Sequence, residues 1–490
     1  MRPRQPGHSF PYARCVIVFL MSALLIGGAV PFLTGSARPS LSYLVVARQD
    51  GPAGIPAAEA AVRAAGGRVA QAYPQIGTVL AYGPSTGFAA RVRQEPDVLG
   101  AGASRTVATD DPQTDAWAPP PRARTGGRAG DLMPGDDIPA AADPHGLPQW
   151  NLRMMDDVPA PASARGAALR GTVVAVLDSG VDDTHPDLRQ AVDPTRSASC
   201  ADGSPDSSPG AWRPDPEVGE SGHGTHVSGI IAGDRPGDGV VGVAPGVRIA
   251  AVRLLGSVGQ YYGENLVCGF LWAADHGARV INDSYFADPW KYNCPEDPDQ
   301  AAVTAAVGRA VRYAQARGAL VVASAGNDAQ NLDAARTDDR SPNDHADGST
   351  PATRHLGPEC IRLPGGLPGV LDVTAVDRDG NLAGYSNWGA GSVQLAAPGG
   401  DPDGGPGQAI VSDWPGGGYA ALAGTSMAAA HVSGAAAVEA ALHPGAGSAE
   451  LAHLLESAAL RVDCPSGLLN GPGCVGGAYY GYGLVEVPRR

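Results

Sequence analysis

Asp178, His223 and Ser426 each lie in a glycine-bracketed segment: V-V-A-V-L-D-S-G at 173–180, S-G-H-G-T-H-V-S-G at 221–229 and G-T-S-M-A-A-A-H-V-S-G at 424–434. A carboxylate, an imidazole and a hydroxyl are together the groups that make a serine nucleophile. A hydroxyl attacks poorly near neutral pH, so an imidazole must take its proton, and a carboxylate must hold that imidazole in one tautomer and stabilise it once charged. A fourth segment, L-V-V-A-S-A-G-N-D at 320–328, adds the amide of Asn327. Acyl transfer builds negative charge on a former carbonyl oxygen, and preorganised donors aimed at that oxygen lower the barrier.

The elements that must carry these groups are legible around them. T-V-V-A-V-L before Asp178 is a continuous β-branched and apolar run, the pattern of a central parallel strand buried on both faces. Asp178 then falls at the C-terminal end of the strand, where open α/β sheets place their ligands. H-G-T-H-V-S-G-I-I-A opens an apolar helix, L-V-V-A-S-A reads as another buried strand, and the Ala-rich run after Ser426 reads as a buried helix. The first turn of that helix offers free N–H groups and a partial positive charge. Strands alternating with helices predict a doubly wound α/β fold with a mostly parallel sheet.

The order Asp, His, Ser, with these contexts, resembles the subtilisin-like serine proteases (the subtilase family) over residues 146–490. The resemblance implies a subtilisin-like fold and a peptidase, with Asp178 as orienting carboxylate, His223 as general base and acid, and Ser426 as nucleophile. It makes the side-chain amide of Asn327 and the backbone N–H of Ser426 the oxyanion donors. Two segments depart from the family pattern. Ala430 stands where the nucleophile motif carries proline, a change that suits a helix interior. At 281–290 the chain reads I-N-D-S-Y-F-A-D-P-W, where the family commonly has a Ser-Leu-Gly-like stretch lining the substrate cleft. Ser284, Tyr285 and Phe286 are the expected substrate-binding residues. Ser284 matches, whereas the bulk of Tyr285 and Phe286 and the charge of Asp288 reshape the pockets. Extended peptides bind such clefts by backbone pairing, with side-chain pockets setting preference.

Plainer readings apply to the neighbouring residues. H-G-T-H (His223, His226) lacks the spacing and the glutamate of the zinc-protease helix motif, so His226 is read as structural, as are His431 and His185. Ser324 is read as strand filling. No metal ligand is assigned and no cofactor is required for the chemistry. Calcium stabilises many subtilases, and two acidic loops are candidates, D-P-D-G at 401–404 and the stretch around Asp338, Asp339 and Asp344. Neither has EF-hand spacing.

A net charge of −15 argues against nucleic-acid partners, which favour basic patches. The 68 glycines and 44 prolines indicate long irregular loops on a regular core. Lys291 is the one lysine, and this arginine bias with abundant Ala, Gly and Pro suits a high-GC, actinobacterial source. At the amino terminus Arg2, Arg4 and Arg14 precede an apolar stretch from Cys15 to Leu33 and the small residues T-G-S-A, an export signal expected over 1–37. An uncleaved membrane anchor is the alternative.

Residues 38–105 read as strand, helix, strand, helix and a further apolar stretch, resembling the inhibitory propeptide of subtilases, a small ferredoxin-like α+β unit. This segment carries net +3 and 146–490 carries about −17, signs that favour docking. A Pro/Gly-rich linker with exposed arginines, the expected region of maturation, spans 106–145. Once Cys15 leaves with the signal, Cys200, Cys268, Cys294, Cys360, Cys464 and Cys474 remain, an even set that suggests disulfides with 15 connectivities. Cys464 and Cys474, flanking a short Gly/Pro loop, are the favoured pair.

The sequence therefore predicts a secreted serine endopeptidase, made as an inactive precursor and expected to be monomeric. Its partners would be polypeptide substrates and its own propeptide as an intramolecular inhibitor. It would use no nucleic acid, and no membrane after signal cleavage. The alternatives are a membrane-associated processing protease with a dedicated substrate and a non-catalytic subtilase-like binding protein.

Overall fold

The computed structural model describes residues 40–107, 140–141, 149–155, 168–219, 221–344, 353–405, 407–462 and 477–488. The expected signal (1–37), most of the linker, and Cys464 and Cys474 lie outside them.

In chain order, residues 40–103 form β1 (Ser40–Ala47), a helix Ile55–Ala64, β2 (Arg68–Tyr73), β3 (Thr78–Pro84), a helix Phe88–Val92 and β4 (Val98–Ala103). The strands make an antiparallel sheet in the order β2-β3-β1-β4. Side chains of a strand alternate between two faces, and β1 uses both. Tyr43, Val45 and Ala47 pack with Ala58, Val62, Phe88 and Val92 of the two helices. Leu44 and Val46, with Tyr73, Ile76 and Leu80, instead join Tyr261, Leu266 and Val303 of the larger body. Two ion pairs rim this apolar contact, Arg93–Asp299 at 2.7 Å and Arg309–Asp50 at 3.7 Å.

The larger body contributes β5 (Ala140–Ala141), β6 (Val173–Asp178), β7 (Ala198–Ser199), β8 (Arg248–Arg253), β9 (Val280–Asp283), β10 (Leu320–Ser324), β11 (Arg336–Asp338), β12 (Arg354–Leu356), β13 (Val370–Val376), β14 (Leu395–Pro398), β15 (Ile410–Trp414) and β16 (Gly418–Leu422). Seven of them form a parallel sheet ordered β14-β13-β10-β9-β6-β8-β7. The α/β class expected from the sequence is the one found. β15 and β16 form a hairpin whose outer neighbour is β5, so the expected linker stretch contains a strand.

Both faces of the parallel sheet are covered, and β6 shows why its sequence is apolar throughout. Val174 and Val176 belong to the core under helices His223–Ala232 and Thr425–Leu442, while Val173, Ala175 and Leu177 face helices Gly263–Asp275 and Pro298–Ala316. The chain moves from β6 outward to β7 and β8, then returns to the other side of β6 for β9. The crevice at the C-terminal ends of β6 and β9 is thus the switch point where open α/β sheets hold ligands. Among the described residues no helix is long and apolar enough to cross a membrane.

Candidate active site

Asp178 ends β6 and is fully buried. His223 begins the helix His223–Ala232, and its Nδ1 lies 2.9 Å from Oδ1 and 3.1 Å from Oδ2 of Asp178. A carboxylate only accepts, so Nδ1 carries a hydrogen, and in the neutral ring the lone pair is then on Nε2. The carboxylate also accepts from the Ser179 N–H at 2.6 Å. Ser179 in turn accepts from Gly224 N at 2.9 Å and donates to the Ser221 carbonyl at 2.8 Å, which ties strand end to helix start. Glycine follows His223 because a Cβ there would run into the Gly180 carbonyl and stand 2.9 Å from Asp178 Oδ1.

Ser426 is the second residue of the helix Thr425–Leu442. Its hydroxyl donates to the Ser284 carbonyl at 3.1 Å, so in this structure it is turned to Ser284 and not to His223. Ala430 continues the helix, fully buried, at the position where the family motif has proline. Asn327 follows β10, and its Oδ1 accepts from both the N–H (3.0 Å) and the hydroxyl (2.8 Å) of Thr425. Those two bonds fix the amide so that Nδ2 is its donor on the other side. Thr425 is a residue that sequence reasoning missed; only its place beside Ser426 pointed to it.

The segment 284–290 forms a wall. The Ser284 hydroxyl accepts from Asn282 Nδ2 at 2.9 Å and approaches the Ser426 carbonyl at 3.4 Å, so this side chain links β9 to the helix Thr425–Leu442. Tyr285 is buried, stacked on Tyr261 with ring centres 3.8 Å apart, and stands 4.7 Å from the His223 ring. Phe286 is buried beside Arg362 (4.9 Å) and Lys291 (5.8 Å). Both bulky residues thus pack into the wall. Behind it, Asp283 ends β9, fully buried, with Oδ1 accepting from Tyr285 N at 3.1 Å. Burial, with the nearby Asp178 carboxylate adding, pushes its carboxyl up to about 8.

The three histidines read as structural have internal partners. His226 Nε2 donates to the Ile410 and Ala420 carbonyls at 3.1 and 3.2 Å, and burial pushes its pKa down to about 3. His431 donates through Nδ1 to Met427 O (2.7 Å) and accepts at Nε2 from Asn151 (2.7 Å); burial takes it to about 4. His185 Nε2 meets the Gly418 carbonyl at 2.9 Å. Ser324 is buried at the end of β10.

Three carboxylates of the two acidic loops have protein partners. Asp338 accepts from Arg340 N, Ser341 N and Arg354, Asp344 accepts from Thr106, and Asp401 accepts from Asp403 N. His185, Asp187 and Asp413 bring one ligand atom each within 4.8 Å of one another, fully buried, a grouping the sequence reading did not foresee. Disulfides join Cys200 to Cys268 and Cys294 to Cys360.

A buried carboxylate holding an imidazole, a serine at a helix start and an oriented amide can together perform acyl transfer. Comparison with known proteins agrees with this chemistry. Residues 169–481 match the model of the Subtilase family. Subtilisin BL from Lederbergia lenta is 32% identical over 318 residues, 64% of this chain and 94% of that protein. Fervidolysin from Fervidobacterium pennivorans is 32% identical over 333 residues, 64% of this chain and 40% of that protein. In fold, the chain resembles the epidermin leader peptide processing serine protease of Staphylococcus aureus, with a TM-score of 0.63 and 21% identity over 92% of this chain and 97% of that one. The fervidolysin crystal structure gives a TM-score of 0.59 at 24% identity, over 93% of this chain and 61% of that one. With a family match across most of its length and the fold to go with it, this chain belongs to the Subtilase family and is a subtilisin-like serine endopeptidase.

Proposed function

We propose that the protein is a secreted serine endopeptidase, made as an inactive precursor, that cleaves polypeptides through an acyl-enzyme on Ser426. The observation that supports this reading is the His223 Nδ1–Asp178 bond of 2.9 Å, which leaves Nε2 as a base in the same crevice as Ser426. For attack, the Ser426 hydroxyl leaves the Ser284 carbonyl and gives its proton to Nε2 of His223. Asp178 stabilises the imidazolium that results. The oxyanion is held by the Ser426 N–H, at the positive end of its helix, and by Nδ2 of Asn327. His223 then protonates the leaving amine, and water repeats the sequence to free the enzyme. These steps need no cofactor.

Residues 38–105 act in this reading as the intramolecular inhibitor, with 106–145 as the stretch cut on maturation and 146–490 as the catalytic domain. The apolar face of the four-stranded sheet, seated on the larger body, supports that assignment. The test is to express the precursor as wild type and as Ser426→Ala, then treat each with a serine-directed fluorophosphonate probe and a denatured protein substrate. Labelling and cleavage by the wild type only is the expected result, and a mature N-terminus beyond residue 105. Absence of both reactions after removal of the prosegment would refute the enzyme mechanism; an N-terminus at or before residue 41 would refute the cleaved propeptide.

A further inference from the structure

Arg105 and Thr106 follow the small sheet and are gripped by the larger body. Nε of Arg105 donates to Oε1 of Glu264 at 2.9 Å, and the guanidinium carbon lies 4.1 Å from the centre of the Tyr262 ring. The Arg105 side chain is 14% exposed and Glu264 is 0% exposed. Thr106 follows, donating its N–H to Oδ2 of Asp344 at 2.8 Å and its hydroxyl to Oδ1 of the same carboxylate. This grip adjoins the wall that begins at Ser284. Tyr262 forms a backbone bridge with Asp288, Asn343 donates to Asp288 at 2.6 Å, and Tyr261 is stacked on Tyr285, which stands against His223.

Arg105 therefore sits at the rim of the cleft, just before the stretch in which maturation is proposed to occur. A cut there leaves Arg105 on the acyl side of the broken bond, the side on which substrate residues precede the scissile peptide. Both groups holding its guanidinium belong to the part of the chain that remains after the cut. Oε2 of Glu264 has no hydrogen-bond partner among the described residues, so the carboxylate can accept a second N–H from a guanidinium.

We propose that Tyr262 and Glu264 form a subsite for a basic side chain, arginine above all, upstream of the scissile bond in the enzyme's polypeptide substrates. Arg105 is then the prosegment's use of the same subsite. The inference rests on the endopeptidase mechanism above and gives it a substrate class. Selection works in both directions. A guanidinium gains a charge-assisted bond and a ring face, whereas a neutral donor gives only an uncharged bond and an apolar side chain covers the Glu264 carboxylate without pairing it.

The test uses the matured enzyme from the full chain and quenched peptides of the sequence from Gly100 through Gln113. The residue at the Arg105 position is varied among arginine, lysine, citrulline and norleucine. Rates are referred to fluorophosphonate-labelled sites, so that only active enzyme is counted. Arginine should exceed citrulline, its neutral isostere, by about 10- to 100-fold in kcat/KM, mainly through KM, the range of one charge-assisted hydrogen bond. Glu264→Gln should reduce the ratio to near one. The wild-type series stands by itself if that variant does not fold. Equal cleavage of arginine and citrulline peptides by labelled wild-type enzyme would overturn the subsite and leave the endopeptidase mechanism standing. The same ratio in Glu264→Gln would overturn the role of Glu264. Failure to label or cleave would instead overturn the endopeptidase mechanism, and the subsite with it.

Discussion

Replacing Asp283 by asparagine should make the protein more stable, by an amount that grows with pH. Asp283 is fully buried, its Oδ1 accepts from Tyr285 N at 3.1 Å, and its Oδ2 has no partner among the described residues. Burial, and then the Asp178 carboxylate, push its pKa from 3.8 to about 8. In the unfolded chain the group ionises near pH 4, so between about 4 and 8 the folded state holds one proton more than the unfolded state. Stability must then fall as pH rises through that window, by about 1.4 kcal/mol per unit, and level off above about 8. Asparagine keeps the acceptor for Tyr285 N and has no proton to lose. Between pH 5 and 7 the difference between variant and parent should widen by about 2.7 kcal/mol in favour of the variant. The assay is urea unfolding followed by tryptophan fluorescence at several pH values, with both proteins carrying Ser426→Ala to prevent self-digestion. A difference that does not change between pH 5 and 8 would show that Asp283 is ionised in the folded protein, and would refute the argument.

Three further outcomes are expected. Asn327→Ala should lower kcat by about 10²–10³ with little change in KM, a figure that comes from a subtilisin that lost one such donor; single-turnover kinetics measure it, and an unaltered kcat would remove Asn327 from the oxyanion site. Thr425→Val deletes the 2.8 Å bond to Asn327 and the acceptor of the Gly326 N–H, so stability should fall by about 1–3 kcal/mol and kcat by about 5-fold. Combined with Asn327→Ala, its effect on kcat should vanish, as expected of residues acting through one another. Replacing Cys294 and Cys360 together by serine opens a loop with a sequence separation of 66, which in the chain-entropy model costs about 4 kcal/mol, measured by denaturant unfolding.

How far the sequence could be read depended on whether a residue's surroundings are local. β6 was legible because burial on both faces leaves only apolar residues in Val173–Leu177. The helix after Ser426 was legible because its small side chains are buried on every side. The strand β2, R-V-A-Q-A-Y, was missed: most of it is half-buried, so its composition is mixed and its period weak. The motifs pointed to Asp178, His223, Ser426 and Asn327, but not to the groups that hold them, such as Thr425 and the Ser284 carbonyl. Nothing in a threonine beside a serine announces that it aims an amide 98 residues away. Nor do Tyr285 and Phe286 reveal by type that one stacks on Tyr261 and the other lies beside Arg362 and Lys291. The pairing of Arg105 with Glu264 spans 159 residues and follows from docking, which composition reported only as a difference in net charge.

The strand β1 serves two cores at once, Tyr43 and Val45 on one side, Leu44 and Val46 on the other. After a cut in the linker, a departing prosegment would carry Leu44, Val46, Ile76 and Leu80 into water as one contiguous apolar face. Docking stabilises the segment by about 25 cal/mol per Å² of apolar surface buried; a freed fragment would lose that contribution, stand closer to unfolding, and be open to digestion by the enzyme it leaves. In the proposed precursor, activation would then work as a ratchet: digestion of the freed fragment, not loss of the seam's affinity, would keep the silenced state from being rebuilt.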